Sequence, residues 1–235
     1  MADPETRGGY PGPRSSIRRA IPWNEIIGAL ETFVRDTGLS AVSEVARRRH
    51  DPFEVLISTM ISLRTKDEVT AAASRRLLAR AATPSLLAAL PEQEIARLIY
   101  PAGFYNSKAK NLKAAAEILA TRHDSRVPAT MEELLALPGV GRKTANLVRN
   151  LGYGLEGICV DTHVHRICNR LGWVQTSTPE QTEAELEKIL PRRYWIGINE
   201  ILVRFGQRLC TPISPKCSLC PIAGHCPRLG VSRSR

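Results

Sequence analysis

The chain contains no run of apolar residues approaching the roughly 20 that a membrane-spanning helix needs, although hydrophobic residues make up 43% of its 235 positions. A helical membrane protein is therefore not expected, and the composition is that of a globular chain. The first twenty residues, MADPETRGGYPGPRSSIRRA, lack the apolar core of a secretory signal. Asp3 and Glu5 also sit where a transit peptide avoids acid. Residues 1–20 read as a loose basic tail. Without a secretory signal, the six cysteines are not expected to form a disulfide framework. Acidic residues are in deficit, 23 against 33 Lys and Arg, for a formal charge of +10. That balance favours a polyanionic partner, most commonly nucleic acid. Few segments alternate as strands, and the interior has no low-complexity stretch.

What remains is helical almost throughout. Trp23, Ile26, Ile27, Leu30, Phe33 and Val34 recur at helical spacing, with Asn24 as an expected N-cap and Gly38 as a stop. Asp51-Pro52 opens a second helix whose residues Phe53, Val55, Leu56, Ile57, Met60, Ile61 and Leu63 are apolar nearly all round, which marks it as central and buried. The pattern predicts further helices over 67–80, 84–90, 92–99, 107–122, 130–136, 142–152, 163–171, 179–190 and 194–209, punctuated by prolines. The fold class is all-α.

LLALPGVGRKTANLV, residues 134–148, reads as helix, tight turn and helix, with Leu134, Leu135, Leu137, Val140, Ala145 and Leu147 between the two helices. It resembles the helix–hairpin–helix motif of DNA-binding proteins. Gly139 and Gly141 allow a sharp turn and a close ligand approach. The free N–H groups that open the second helix suit a backbone phosphate, a contact that positions DNA without reading its sequence.

Lys143 lies in the first turn of that second helix, where a cation is disfavoured. The same location favours a neutral, nucleophilic amine, although a solvated lysine or another phosphate contact fits equally. Asp161, in VDTHVHRICNR, is either a partner for chemistry or the N-cap of the next helix. Cys159 and Cys168 read as small buried hydrophobes. Cys210, Cys217, Cys220 and Cys226 follow a C-x6-C-x2-C-x5-C spacing. Four thiolates suit both zinc and an iron–sulfur cluster, and spacing alone leaves the two open.

LPGVGRKTA, VDTHVHR and the four-cysteine spacing, in that order and with GFYNSKAKN at 103–111, resemble the endonuclease III family of DNA glycosylases over roughly residues 24–226. The resemblance implies a two-lobed all-α fold with a DNA cleft. One lobe is a six-helix barrel over 49–157, and the other is a discontinuous cluster domain of 21–48 plus 158–235. It implies a [4Fe–4S] cluster on Cys210, Cys217, Cys220 and Cys226, which pins a loop carrying Lys216 near DNA phosphate. It makes Lys143 the nucleophile and Asp161 its partner, in an enzyme that excises oxidised pyrimidines of the thymine glycol type from double-stranded damaged DNA. The abasic site is then cleaved by β-elimination through a lysine Schiff base. Arg64 and Phe104 match the family positions that fill the opened duplex, and His163 matches a DNA-facing one. Arg64 departs from the usual Gln, which bears on lesion range and opposite base. Phe104 also fits ordinary core packing, and His163 an ordinary structural histidine. A cytoplasmic, nucleoid-associated monomer is expected.

Three kinds of rival stand beside this reading: another glycosylase on the same fold, a non-catalytic module and a zinc protein. An adenine glycosylase would extend well beyond Cys226, and a monofunctional mismatch glycosylase would lack Lys143. A non-catalytic DNA-binding module would need neither Lys143 nor Asp161, and a zinc protein would be colourless.

Overall fold

The computed structural model describes residues 20–49 and 51–235. The expected basic tail, residues 1–20, therefore lies outside them except for Ala20. The described residues contain helices and no strand. In chain order the helices are α1 (Trp23–Val34), α2 (Ala41–Arg49), α3 (Pro52–Ser62), α4 (Asp67–Arg80), α5 (Pro84–Ala89), α6 (Glu92–Ile99), α7 (Tyr105–Arg122), α8 (Met131–Leu135), α9 (Arg142–Leu147), α10 (Thr162–Arg170), α11 (Pro179–Ile189) and α12 (Ile198–Arg208). Helix α9 runs on into a π-helical turn, Val148–Gly152.

Local chemistry sets the boundaries. Asp51 caps α3 through the Phe53 amide, with Pro52 in the first turn. Thr83, Thr130 and Thr178 cap α5, α8 and α11. Gly38, at φ +67°, ends the first helical segment as expected. Asn24, in contrast, is not a cap. Pro22 precedes the helix, and Asn24 lies inside its first turn, where its side chain accepts from Arg193 and Tyr194. Helix α12 starts at Ile198, four residues later than the sequence suggests, because Arg192–Tyr194 forms a separate 3-10 turn. Helix α2 was not foreseen. It is short and turns only Val42 and Ala46 firmly into a core, so its periodic signal is weak.

The apolar side chains form two cores. The first gathers α3 through α9, with α3 at its centre, and includes Leu56, Leu77, Leu112, Leu134 and Val148. The second joins α1 to α10, α11 and α12 through Ile27, Leu30, Ile167, Leu202 and Phe205. The chain thus starts in one lobe, builds the other, and returns. Val42 and Ala46 of α2 also pack into the first core. Helix α2 is nonetheless tied to the second lobe: the Ser40 and Ser43 hydroxyls both donate to Glu200 Oε2, and the Ser40 amide donates to Oε1.

Candidate active site

A cleft of about 630 Å³ opens between the lobes, lined among others by Arg64, Asp67, Gly141, Lys143, Asp161 and His163. Helix α9 brings Lys143 to it from the first lobe, and the start of α10 brings Asp161 from the second. Lys143 Nζ lies 3.2 Å from Asp161 Oδ2. The lysine side chain is 36% exposed and the aspartate 7%. The other carboxylate oxygen, Oδ1, accepts from the amides of His163 and Val164 at 2.8 and 3.0 Å. Asp161 is therefore both the N-cap of α10 and the neighbour of Lys143. One oxygen caps α10, and that bond aims the other at the lysine.

The hairpin supports this arrangement. Leu134, Leu137, Val140, Ala145 and Leu147 are buried between and behind its helices, whereas Leu135 is 41% exposed and is not part of the contact. Gly139 has φ +77°, and a Cβ there would meet the Asn111 side chain at 2.8 Å. Gly141 has φ −99° and nothing within 4 Å of an added Cβ. The first glycine is required by the fold, and the second leaves the start of α9 open to the outside. Arg142 makes a two-pronged ion pair with the buried Glu183 of α11, at 2.9 and 3.1 Å, and Asn146 also donates to Glu183. Glu183 thus holds α9, and with it Lys143, against the second lobe. Sequence reasoning missed it. A charged residue within a helical repeat reads as a solvated position unless its partner, 41 residues away, is known.

His163 lines the cleft and is half-buried. Arg166 Nη2 lies 3.2 Å from its Nδ1. A guanidinium can only donate, so Nδ1 accepts and the proton resides on Nε2. Burial lowers the imidazole below its ordinary range, against the opposing pull of Asp161. Asp67, also in the cleft, is raised by burial, partly offset by a hydrogen bond from Gln207.

Phe104 is 63% exposed, which removes core packing as its role. The Arg64 guanidinium lies 5.5 Å from the centre of its ring. Arg64 lines the cleft and Phe104 stands beside it, so the structure brings the two predicted gap-filling residues together. Gly139 lies on the hairpin turn, and Lys216 is half-buried in the C-terminal loop, apart from the cleft lining.

Cys210, Cys217, Cys220 and Cys226 line a single pocket next to Phe205 and Ile222. Among the described residues no three His, Cys, Asp or Glu side chains are placed to share one metal ion. A four-iron cluster instead spreads its thiolates around a cube, one per iron, and four cysteines around one apolar pocket fit that donor set. Burial pushes the Cys220 thiol up, and the neighbouring Cys226, Cys210 and Cys217 push it further. Such a gathering of thiolates calls for positive charge at its centre. Buried Arg170 frames the pocket, donating to the Thr211 and Pro212 carbonyls at 2.7 Å, with Nη1 3.4 Å from Cys210 Sγ. Cys159 and Cys168 are fully buried away from it, and burial raises both thiols.

Residues 57–192 match the family model of HhH-GPD superfamily base excision DNA repair proteins, and residues 210–226 match the iron–sulfur binding domain of endonuclease III. The chain is 49% identical to endonuclease III of Thermotoga maritima over 176 residues, covering 75% of this chain and 83% of that protein. It is 46% identical to mouse endonuclease III-like protein 1, covering 74% of this chain and 59% of that one. A solved structure of a trapped endonuclease III–DNA covalent intermediate superposes with a TM-score of 0.76 at 31% identity, covering 86% of this chain and 92% of that one.

Proposed function

The chain belongs to the endonuclease III family of HhH-GPD base excision DNA repair proteins, and from that premise we propose how its own residues carry out the reaction. The enzyme is a bifunctional DNA glycosylase and abasic-site lyase that removes oxidised pyrimidines. Duplex DNA lies along the hairpin, with a backbone phosphate against the amides that open α9, where Gly141 leaves room for it. The damaged nucleotide leaves the stack so that its sugar reaches the cleft. Phe104 enters the gap as an apolar wedge, and Arg64, longer than the family's usual Gln and always charged, meets the orphaned base or the phosphate beside it. His163 offers its Nε2–H to the DNA.

Lys143 and Asp161 perform the bond-breaking. Asp161 Oδ2 takes a proton from the lysine ammonium. The free amine attacks C1′ of the deoxyribose, the C1′–N bond breaks, and the base leaves with its electron pair. Asp161 passes that proton to the departing base, and the carboxylate so restored faces the positive charge that develops on the sugar. Opening of the ring leaves an iminium between Lys143 and C1′. Loss of a proton from C2′ then breaks the C3′–O bond and expels the 3′ phosphate. The observation that carries this reading is the 3.2 Å approach of Lys143 Nζ to Asp161 Oδ2 in a cleft between two lobes.

The [4Fe–4S] cluster, held by the four cysteines, supplies iron–thiolate bonds that tie the C-terminal loop together. That loop then presents Lys216 to DNA phosphate. Among the described residues no helix is long and apolar enough to cross a membrane.

Borohydride added during turnover on a duplex carrying thymine glycol or an abasic site tests the assignment. Wild-type protein is expected to become covalently attached to the DNA, and Lys143→Ala to lose attachment and strand cleavage together. Trapping of Lys143→Ala at the normal rate would overturn the nucleophile. Absence of strand cleavage by the cluster-loaded wild type would favour a non-catalytic binding module.

A further inference from the structure

Lys108 is buried, at 8% exposed, and has no carboxylate partner among its hydrogen bonds. Its Nζ donates to the Ile61 and Leu63 carbonyls at 2.6 Å each and to Thr65 Oγ1 at 2.7 Å. The first two acceptors are at the C-terminal end of α3, where carbonyls lack helical partners and a cation is favoured. Three N–H bonds thus meet three acceptors. Burial lowers the ammonium to about 8, so the three-donor form is the one present at neutral pH.

These acceptors flank Arg64. The far side of the same loop meets the Phe104 loop directly. The Gly103 amide donates to Thr65 Oγ1 at 3.1 Å, and a Cβ on Gly103 would lie 2.4 Å from the Arg64 carbonyl oxygen. Lys108 also sits one turn after Phe104, to whose carbonyl its amide donates at 3.0 Å. Both Arg64 and Phe104 hold left-handed backbones, at φ +53° and +56°. A residue with a side chain keeps that conformation only where its surroundings enforce it.

We infer that Lys108, acting through Thr65, is the positioning residue that locks the Arg64 and Phe104 loops into one rigid unit for opening the duplex. The inference rests on the reading above that these two side chains enter the DNA. Lys108 itself does not touch DNA. It anchors the end of α3, Thr65 carries the anchor to Gly103, and Gly103 lets the two loops approach closely enough for Arg64 to lie over the Phe104 ring.

The test reads unstacking separately from chemistry. A 2-aminopurine placed opposite the lesion reports, by its fluorescence, displacement of the facing base when the protein binds. Thr65→Val removes the shared acceptor at nearly constant volume and is expected to lower both the fluorescence rise and the single-turnover excision rate by about tenfold, the equivalent of one buried hydrogen bond. Thr65→Ser restores the hydroxyl and is expected to recover both. Lys108→Met is expected to do at least as much damage as Thr65→Val, with melting temperature recorded alongside because this variant removes three bonds at once. Phe104→Ala separates the two layers of the idea. A loss in Phe104→Ala that is not deepened by adding Thr65→Val supports the lock. An unchanged Phe104→Ala would overturn the reading that this side chain enters DNA. A defective Phe104→Ala alongside a folded Thr65→Val of normal fluorescence and rate would overturn the role of Lys108 and Thr65 alone.

Discussion

The hairpin that carries Lys143 and the C-terminal segment that carries the four cysteines are held in opposite ways. The hairpin contributes Leu134, Leu137, Val140, Ala145 and Val148 to a continuous core. The segment after Leu209 contributes one fully buried large side chain, Ile222, while Ile213 and Leu219 are 86% and 71% exposed. It is shaped by polar attachments, chiefly Arg170, and by its thiols. Apolar burial is a sum of many small terms that survives the loss of any one. A four-point tether concentrates the same duty in a few bonds. Lys143 rests on the first kind of support, and the cysteine-bearing loop on the second.

Cys220→Ser should expose that contrast most sharply. Loss of one cluster ligand is expected to remove the yellow-brown colour and to cost more than about 4 kcal/mol of stability, as loss of a structural metal site does. Protease digestion should then cut first between residues 210 and 235, leaving the hairpin lobe protected. A colourless wild type of unchanged stability would instead point to zinc.

Asp161→Asn acts at the other support. Asparagine still caps α10, so the melting temperature should hold, but the proton acceptor is gone and excision should fall by about 10²–10⁴-fold. Asp161→Ala is expected to lose the cap as well, about 1 kcal/mol. A normal excision rate in Asp161→Asn would reduce the aspartate to its capping role.

Within the hairpin, Leu134→Ala is expected to cost about 2–5 kcal/mol in denaturant titration, against less than about 0.5 kcal/mol for the exposed Leu135→Ala. Equal costs would contradict the division between buried and exposed faces.

The smallest effect concerns His163. Burial lowers its titration below the ordinary 6.5, against Asp161 and Asp67, which raise it, and together with Arg166 and Lys143, which lower it further. The unfolded chain therefore takes up this proton first. Stability from the neutral ring is complete above about pH 6.5 and declines as the pH falls towards the lowered folded value. Replacing His163 with Gln should flatten the decline, measured as melting temperature against pH between 7 and 5.

Most of the helices and the chemistry-bearing residues were legible in sequence because they rest on local rules. Asp51-Pro52 announces α3, LPGVGRK announces the turn and the exposed helix start, and the cysteine spacing announces a four-thiolate site. What escaped were features whose signal is weak or whose partners are distant. Helix α2 places only Val42 and Ala46 in a core cluster. Glu183 gains its meaning from Arg142 on another helix, and Lys108 gains its from the end of α3. Leu135 shares the apolar character of Leu134 but points the other way.

The sequence by itself determined the all-helical class, a lysine in the first turn of the hairpin's second helix, an aspartate ahead of the next helix and a closely spaced set of four cysteines, while the roles of Lys143, Asp161 and the cysteines came from the family resemblance. Each of these is a residue type at a fixed spacing along the chain. The tertiary structure alone decided that Lys143 meets Asp161 across two lobes, that one carboxylate can cap a helix and face a nucleophile at once, and that Arg64 and Phe104 form a pair. Those facts depend on distances between elements far apart in the chain, which are set by how two hydrophobic cores pack and not by any local propensity.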